Sequence, residues 1–262
     1  TRPMARTLGV VIPAYRPDVD TLAEFVAEVD ERLAPESVRI ELDAPAPGTV
    51  EALADCPAAV HVAETRRGKG AAITRGFESL GTDVLAFVDA DGSVPADSLA
   101  DVVAPVLDDE ADLAVGSRRH PDADVRSHQT FARRWLGDRF AALARFVLDV
   151  PLYDYQCGAK AIDRETWRAV RGHLYEPGFA WDVELIAMAG ALGARLSEVP
   201  VVWIDRPGST VDTLGTSVAL GRALLVARHR AALVRDRPLN RTIESYRHGR
   251  PALVDRVPED HD

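Results

Sequence analysis

Strand-like and helix-like segments alternate along the first half of the chain. Continuous apolar runs such as Val84–Val88 are typical of strands buried on both faces of a sheet. The segments between them, such as Val19–Leu33, carry apolar residues at helical spacing. This alternation predicts an α/β fold with a mostly parallel sheet and helices on both faces. The other predicted strands are Leu8–Pro13, Val38–Leu42, Val60–Ala63 and Leu113–Val115, and the other helices are Val50–Leu53, Gly70–Leu80 and Ser98–Leu107.

The pattern changes after Arg119, where longer helical segments replace the alternation. Residues 126–148 predict one long amphipathic helix, and helices over Leu185–Leu192 and Val218–Val234 flank a strand over Leu196–Ile204. The last helix is amphipathic and carries Arg222, Arg228 and Arg230. We therefore divide the chain into an α/β domain over residues 1–217, which includes the helix at 126–148, an amphipathic helix over 218–239 and a flexible tail over 240–262.

The charge and cysteine content exclude several classes of protein. A net charge of −10 disfavours nucleic-acid binding. The two cysteines, Cys56 and Cys157, form no CxxC pair, which argues against a zinc site or a disulfide framework and fits a reducing cytoplasm. Lys69 and Lys160 are the only lysines. An acidic surface with few lysines suits a cell of high internal salt, although a GC-rich genome alone also replaces lysine with arginine.

The chain shows no signal for export or for spanning a membrane. Residues 1–7 do not resemble a signal peptide, since no extended apolar segment follows them. No stretch reaches the roughly 18 apolar residues that a membrane-spanning helix needs. We therefore expect a cytoplasmic protein, either free or lying on a membrane surface.

Polar residues follow the predicted strands at the ends where parallel sheets bind their ligands. The acidic triplet Asp89-Ala90-Asp91 comes directly after Val84–Val88. Its two carboxylates can hold a hard cation such as Mg²⁺ or Mn²⁺, which completes its coordination with phosphate oxygens. A solvated acidic turn is the alternative interpretation. The other strand ends hold Pro13-Ala14-Tyr15, Asp43, Arg66-Arg67-Gly68 and Gly116-Ser117-Arg118.

Both lysines lie in distinctive segments. Gly68-Lys69-Gly70 opens a predicted helix, where it could cradle a phosphate or serve as an ordinary helix start. It is not a Walker A loop, because no Ser or Thr follows Lys69. Lys160 ends the segment QCGAK, and the segment GFAWDVEL follows at Gly178–Leu185. Asp182 in that segment could be a helix N-cap, and Cys157 a buried apolar residue.

Together these segments resemble the family 2 glycosyltransferases of GT-A fold, and most closely the dolichyl- or polyprenyl-phosphate glucose and mannose synthases. The resemblance spans residues 7–230 and implies a GT-A, Rossmann-like domain over residues 1–217. It also implies metal-dependent, inverting transfer of a hexose from a nucleotide sugar to dolichyl or polyprenyl phosphate, with glucose and UDP favoured over mannose and GDP by the wording GFAWDVEL. The motifs are VIPAY (Val11–Tyr15), RGKG (Arg67–Gly70), DAD (Asp89–Asp91), GSRR (Gly116–Arg119), QCGAK (Gln156–Lys160), GFAWDVEL (Gly178–Leu185) and PGS (Pro207–Ser209).

The resemblance assigns roles to individual residues. Asp89 and Asp91 would hold Mg²⁺ or Mn²⁺ on the diphosphate of the donor. Gln156, Lys160 and Asp182 would surround the reacting centre. The residues expected at the nucleotide sugar are Pro13, Ala14, Tyr15, Asp43, Arg67, Lys69, Asp89, Ala90 and Asp91. The residues expected at phosphates of the donor or acceptor are Arg118, Arg133, Arg134, Arg206 and Ser209.

Three positions depart from the family pattern. The stretch Leu42-Asp43-Ala44-Pro45 stands where the family has D-D-G-S, so it keeps one acid and loses the glycine. We expect altered donor choice or reduced activity from this change. Ser93 stands where the family sometimes has a glutamine that reaches the metal. Thr210 stands where a lysine often follows PGS, and Arg206 could supply that charge.

The helix at 126–148 suits a membrane surface. Phe131, Trp135 and Phe140 would enter the headgroup layer while arginines face anionic lipid. A core helix with a solvated basic face is the alternative. For the function, the alternatives are a soluble family 2 enzyme with a hydroxyl acceptor, in which Asp182 would be the general base, and a non-catalytic nucleotide-sugar-binding relative. A nucleotidyltransferase is disfavoured because its glycine-rich N-terminal loop is absent.

Overall fold

The computed structural model describes residues 5–126, 143–205, 213–235 and 251–256. A seven-stranded sheet lies at its centre in the order β3-β2-β1-β4-β7-β5-β8. Only β7 runs antiparallel to its neighbours, β4 and β5. The predicted mostly parallel sheet is therefore confirmed. The strands are β1 Leu8–Tyr15, β2 Ser37–Asp43, β3 Ala59–Ala63, β4 Val84–Val88, β5 Leu113–Ser117, β7 Ala159–Asp163 and β8 Leu196–Pro200, and β6 Asp124–Arg126 pairs with β9 Val202–Ile204 in a separate small sheet.

Helices cover both faces of the sheet. The first of them, α1, starts at the N-cap Asp18, whose side chain accepts a hydrogen bond from the Thr21 backbone N–H. It ends at Ala34, whose left-handed conformation (φ 43°) stops the helix. The helices are α1 Val19–Leu33, α2 Thr49–Ala52, α3 Lys69–Ser79, α4 Ala96–Leu107, α5 Arg164–Val170, α6 Trp181–Ala191 and α7 Thr213–Val234, and residues 143–148 are also helical.

The sheet separates two hydrophobic cores. Alternate residues of each strand point to opposite faces, so Val10 and Ile12 pack against α1 and α4 while Val11 packs against α3. The second core also receives α6, all of whose residues from Trp181 to Ala189 are buried. Four rings meet there in edge-to-face and tilted contacts: Phe77, Phe87, Trp167 and Trp181. One of these rings, Phe87, belongs to β4, the strand that ends just before Asp89.

Several predicted elements differ from the structure. The strand predicted over Leu196–Ile204 is two strands, because the chain leaves the main sheet at Val201 and enters the small sheet. Strand β7 and helix α5 were not predicted, since a buried lysine interrupts the apolar pattern of β7. Helix α6 begins at Trp181 instead of Leu185, and α7 begins at Thr213 instead of Val218.

The helix predicted over residues 126–148 is wrong at its start, because Arg126 is the last residue of β6. Its end agrees with the structure, which is helical over residues 143–148. Phe131, Trp135 and Phe140 lie outside the described residues. Two of the three arginines named in the predicted helix make internal contacts: Arg228 donates to the Val147 carbonyl and Arg230 pairs with Glu184. The division at residue 217 and the flexible tail stay predictions.

The helices in the described parts of the chain are too short or too polar to cross a bilayer.

Candidate active site

The predicted site residues collect at the carboxyl edge of the sheet. Tyr15 ends β1, Asp43 ends β2 and Asp89 follows β4. The backbone N–H of Asp89 donates to the Gly158 carbonyl at 2.9 Å, so the acidic triplet is attached to the turn before β7. The Oδ1 atom of Asp91 accepts the Ser93 N–H at 2.9 Å, which folds the triplet back on itself.

Four charged side chains, each from a different motif, form a continuous chain of ion pairs. The ammonium of Lys69 lies 2.8 Å from Oδ1 of Asp89 and 3.2 Å from Oδ2 of Asp182. The ammonium of Lys160 lies 2.6 Å from the other oxygen of Asp182 and donates to the Cys157 carbonyl at 2.7 Å. Both lysines of the protein therefore meet on one buried carboxylate. We call this group, Asp89, Lys69, Asp182 and Lys160, the charge chain.

Their surroundings shift the pKa values of Lys69 and Asp89. Although burial disfavours a charged ammonium, the carboxylates of Asp182 and Asp89 raise the pKa of Lys69. Burial raises the pKa of Asp89, and Asp91 and Asp182 add to this effect while Lys69 opposes it. The centre of the Phe87 ring lies 5.1 Å from the Lys69 nitrogen and 5.4 Å from the Lys160 nitrogen, so cation–π attraction to this ring stabilises both ammonium groups.

Gly158 shapes the position of Asp89. A Cβ atom at residue 158 would overlap Oδ2 and Cγ of Asp89 and lie 3.1 Å from its Cβ. The carboxylate can therefore take this position only because residue 158 is glycine. Gly158 belongs to the QCGAK segment, but the sequence analysis gave it no role.

Asp43 anchors the loop that carries Lys69. Its Oδ2 accepts the backbone N–H groups of Arg67 (2.8 Å) and Gly68 (3.0 Å), and its Oδ1 accepts the side-chain Nε of Arg67 (2.7 Å). The fully buried Glu41 lies 2.9 Å from the same guanidinium. Sequence reasoning missed Glu41, although an acid between the apolar Ile40 and Leu42 of a predicted strand is a usable signal. Asp43 therefore holds the RGKG loop, and its predicted contact with a nucleotide stays a prediction.

The other side of this loop packs against residues 176–178. Gly68 has φ +98°, and a Cβ there would lie 2.5 Å from the Pro177 carbonyl oxygen. A Cβ at Gly70 would lie 2.5 Å from the Glu176 carbonyl oxygen. That Pro177 oxygen accepts the N–H of Ala71 at 3.1 Å. One of the free N–H groups at the start of α3 is thus already bonded, which favours an ordinary helix start at this point over a phosphate cradle.

Glu184 connects residues 175–176 to α7. Its Oε2 accepts the backbone N–H groups of Tyr175 (2.7 Å) and Glu176 (2.8 Å), and its Oε1 pairs with Arg230. The guanidinium of Arg230 also lies 4.2 Å from the Tyr175 ring centre. Burial raises the pKa of Glu184, against the opposing charge of Arg230. A single buried carboxylate therefore joins the C-terminal helix to the segment that supports the RGKG loop.

A second ion pair lies at the end of β5. Asp154 binds Arg118 through two guanidinium nitrogens, at 2.7 and 3.0 Å, and accepts the Gln156 N–H at 3.0 Å. Although burial opposes ionisation, Arg118 lowers the pKa of Asp154. Glu198 on β8 accepts the Asp154 N–H at 2.8 Å. Sequence reasoning found Arg118 and Gln156 but missed the two acids that orient them.

Tyr15 forms the outer wall of the site. Its ring is 37% exposed, and the Arg66 guanidinium lies 4.1 Å from the ring centre. Pro13 and Ala14 lie before it on β1, where Ala14 is buried. Four other predicted residues, Arg133, Arg134, Arg206 and Ser209, lie outside the described residues, as does Thr210.

The acidic triplet fits a metal only as a partial site. No cluster of three or more metal-binding side chains occurs in the part of the chain that the structure describes. Asp89 and Asp91 are two hard oxygen donors that influence each other electrostatically. Such a pair suits a divalent cation that takes its remaining ligands from a diphosphate and water.

The fold matches solved structures of sugar transferases. A Mycobacterium tuberculosis glucosyl-3-phosphoglycerate synthase, solved with Mn²⁺, UDP-glucose and phosphoglyceric acid, aligns with a TM-score of 0.65 at 19% identity, over 85% of this chain and 80% of that one. Mannosyl-3-phosphoglycerate synthase from Rubrobacter xylanophilus aligns with a TM-score of 0.66 at 18% identity, over 95% of this chain and 78% of that one. At such low identity these matches establish the fold, and the predicted GT-A class is confirmed.

Sequence comparison identifies the family. Residues 9–170 match the family described as Glycosyl transferase family 2. Undecaprenyl-phosphate mannosyltransferase of Micrococcus luteus is 30% identical over 208 residues, which cover 75% of this chain and 83% of that protein. The chain belongs to glycosyl transferase family 2. The predicted resemblance is therefore confirmed at the level of the family.

Other relatives are longer than this chain. Glycosyltransferase AglD of Haloferax volcanii is 31% identical over 243 residues, covering 86% of this chain but 38% of AglD. Dolichyl-phosphate beta-glucosyltransferase of Dictyostelium discoideum is 29% identical over 171 residues, covering 64% of this chain and 52% of that protein. The chain thus spans about half or less of the length of these two relatives.

Proposed function

We propose that this protein transfers a hexose from a nucleotide sugar to the phosphate of a dolichyl or other polyprenyl lipid, with inversion at the anomeric carbon and with Mg²⁺ or Mn²⁺. Glucose and UDP are favoured over mannose and GDP because of the GFAWDVEL segment. Relatives named as dolichyl-phosphate glucosyltransferase and undecaprenyl-phosphate mannosyltransferase support a lipid-phosphate acceptor. The reaction would take place at the cytoplasmic face of a membrane.

The observation that carries this proposal is the charge chain at the carboxyl edge of the sheet. Asp89 and Asp91 would hold the divalent cation, which neutralises the charge that develops on the departing nucleoside diphosphate. Lys69 adds a fixed positive charge beside them, 2.8 Å from Asp89. Preorganised charges of this kind stabilise a transition state without further rearrangement.

The contacts of Asp182 favour a phosphate acceptor over a hydroxyl acceptor. Each of its two carboxylate oxygens is already paired with an ammonium group: Oδ1 lies 2.6 Å from the Lys160 nitrogen and Oδ2 lies 3.2 Å from the Lys69 nitrogen. Taking a proton from a substrate would weaken both pairs at once. A phosphate monoester has a second pKa of about 6, so it is mostly a dianion at neutral pH and needs no general base. Asp182 therefore orients the two lysines instead of removing a proton.

Arg118 is placed to meet an acceptor or donor phosphate. Asp154 uses two of its N–H groups, and the rest of the planar guanidinium can bind phosphate oxygens. The bidentate pair fixes the orientation of the guanidinium before substrate arrives. Gln156, whose backbone bonds to the same carboxylate, is held next to it.

The test is a transfer assay in high salt with Mn²⁺ or Mg²⁺, UDP- and GDP-hexoses, and polyprenyl phosphate, read by mass spectrometry of the lipid fraction. Wild type is expected to form a sugar-lipid, and EDTA is expected to stop the reaction. Asp89→Asn and Asp91→Asn should lower the rate by about 100-fold or more, as the loss of a preorganised electrostatic group does. Asp101→Asn removes an exposed carboxylate from α4 and serves as the matched control.

Two outcomes would contradict the proposal. Sugar transfer to hydroxyl acceptors, with no lipid product from any donor, would establish the soluble family 2 activity instead. Absence of nucleotide binding in calorimetry, with or without metal, would make the chain a non-catalytic relative.

Association with the membrane surface is part of the proposal. In the helical residues 143–148, Phe146 is 82% exposed and Leu143 is 49% exposed, and residues three apart share a helix face. Flotation with anionic liposomes measures the association. Phe131→Ser combined with Trp135→Ser should abolish it, and Phe146→Ser should weaken it. Unchanged flotation of these variants would exclude this region as the anchor.

A further inference from the structure

We propose that Lys69 competes with the divalent cation for Asp89, so that the cation binds firmly only together with the donor diphosphate. This inference rests on the proposed function, because it requires a divalent cation at Asp89 and Asp91. In the absence of the cation, Lys69 is the counterion of Asp89.

The contacts of Asp89 leave little room for a second cation. Its Oδ1 is held by the Lys69 ammonium at 2.8 Å, and its Oδ2 packs against Gly158, where a Cβ would overlap it. The side chain of Lys69 is only 9% exposed. The side chain of Asp89 itself is 38% exposed, so a cation can reach Oδ1, but there it meets the Lys69 ammonium at short range, and like charges at a protein surface repel more strongly than in bulk water.

Asp182 keeps Lys69 in the site when it releases Asp89. The Lys69 nitrogen lies 3.2 Å from Asp182, so it can lose the contact with Asp89 and remain paired. Lys160 holds the other oxygen of Asp182 and fixes that carboxylate in place. Lys69 thus has a second partner, and a small movement of its flexible side chain exchanges one for the other.

The charge balance explains why a diphosphate is needed. Asp89, Asp91 and Asp182 face two lysines, which leaves a net charge of −1 when all five groups are ionised. A divalent cation alone makes this region positive while Lys69 remains close to it. A nucleoside diphosphate brings negative oxygens for both the cation and the displaced ammonium. The metal and the nucleotide should therefore each raise the affinity of the site for the other, because the cation offsets the negative charge of the site and the diphosphate offsets the positive charge that the cation adds.

Calorimetry with Mn²⁺ tests the competition. Lys69→Met keeps most of the unbranched side chain and removes its charge, so Mn²⁺ alone should bind about tenfold more tightly than to wild type, as expected when one nearby like charge is removed. The gain in Mn²⁺ affinity on adding UDP should be smaller in the variant than in wild type. Arg168→Met is the matched control: it removes an exposed cation from α5, which contributes no residue to the charge chain, and Mn²⁺ affinity should stay at the wild-type value.

The result that overturns the inference is Lys69→Met binding Mn²⁺ alone no more tightly than wild type. If wild type binds no Mn²⁺ even with UDP, the metal in the proposed function is wrong instead. The two failures are therefore distinguishable.

A second measurement is made on the wild-type protein, and a variant serves only to assign its signals. Because the chain contains two lysines, selective ¹³C labelling of lysine gives two Cε signals. Addition of Mg²⁺ to saturation should shift the Lys69 signal clearly more than the Lys160 signal, since Lys160 does not contact Asp89. The spectrum of Lys69→Met assigns the two signals. Equal shifts, or no shift at saturation, would overturn the inference.

Discussion

Gly158 holds the Asp89 carboxylate in place by leaving it room, and Gly158→Ala should move that carboxylate. A Cβ at residue 158 would overlap Oδ2 and Cγ of Asp89. The two backbones cannot separate easily, because the Asp89 N–H donates to the Gly158 carbonyl at 2.9 Å. Gly158 does not require a positive φ, so alanine introduces the overlap without backbone strain. The side chain of Asp89 must therefore rotate or shift by roughly 1 Å to restore ordinary contact.

A displacement of this size has a large effect on the reaction and a modest one on stability. Misplacement of a reacting or metal-binding group by about 1 Å costs on the order of 100-fold in rate. Overpacking of one methyl group costs about 1–3 kcal/mol of unfolding free energy. The assays are kcat/KM for sugar-lipid formation, Mn²⁺ affinity in the presence of UDP, and the midpoint of thermal unfolding.

Gly81→Ala is the matched control, because a Cβ at residue 81 would have no neighbour within 4 Å and the backbone there has no positive φ. It should keep the activity and the metal affinity of wild type. The reasoning is refuted if Gly158→Ala stays within about twofold of Gly81→Ala in kcat/KM and in Mn²⁺ affinity, a difference too small for a displaced ligand.

Three further predictions concern the contacts around the site. Arg230→Met leaves Glu184 buried without its cation and should lower the free energy of unfolding by about 1–2 kcal/mol, a value reduced because the arginine is partly exposed. Urea unfolding measures this change, and an unchanged midpoint would contradict the prediction. Arg118 lowers the pKa of Asp154, so their ion pair stabilises the fold above about pH 4 and is lost as the pH falls further. Asp154→Asn should therefore reduce the loss of stability of the protein at acid pH. A curve of stability against pH that runs parallel to that of wild type would refute this. Burial raises the pKa of Cys157 to about 11, so at pH 8 it should react with a thiol reagent only after unfolding, and a native thiol count of two would contradict this.

The fold was largely predictable because its strands follow local rules. Apolar runs such as Val84–Val88 have the length and composition of buried strands, and α1 matches its predicted bounds, Val19–Leu33. Strand β7 was missed because it contains Lys160, a residue that is rare in a strand interior. Its charge is tolerated only because Asp182, 22 residues later in the chain, neutralises it. A long-range partner of this kind leaves no trace in local periodicity.

The site was predictable in its membership and less so in its contacts. The motifs drew attention to Lys69, Asp89, Lys160 and Asp182, which the structure brings together, but nothing in their spacing indicated that the two lysines share one carboxylate. The contact of Asp43 with a ligand stays a prediction, and its bonds to backbone N–H groups of the RGKG loop, which the structure shows, were not predicted. Backbone donors have no sequence signature, so contacts of this type emerge only from the folded chain.

The position of β7 has a consequence for the order of folding. Only 24 residues lie between the end of β4 and the start of β5 in the chain. In the sheet, however, the two strands are joined through β7, which lies between them and is synthesised later. A nascent or truncated chain that ends before Ala159 leaves both strands with unpaired edges, which favour aggregation. When β7 joins the sheet, it pairs with the facing edges of β4 and β5. The Asp89 N–H then donates its hydrogen bond to the Gly158 carbonyl in the adjoining turn. The joining of β4 to β5 through β7 and the attachment of the acidic triplet to the adjoining turn are thus a single late event, and a chain that lacks β7 has no competent site.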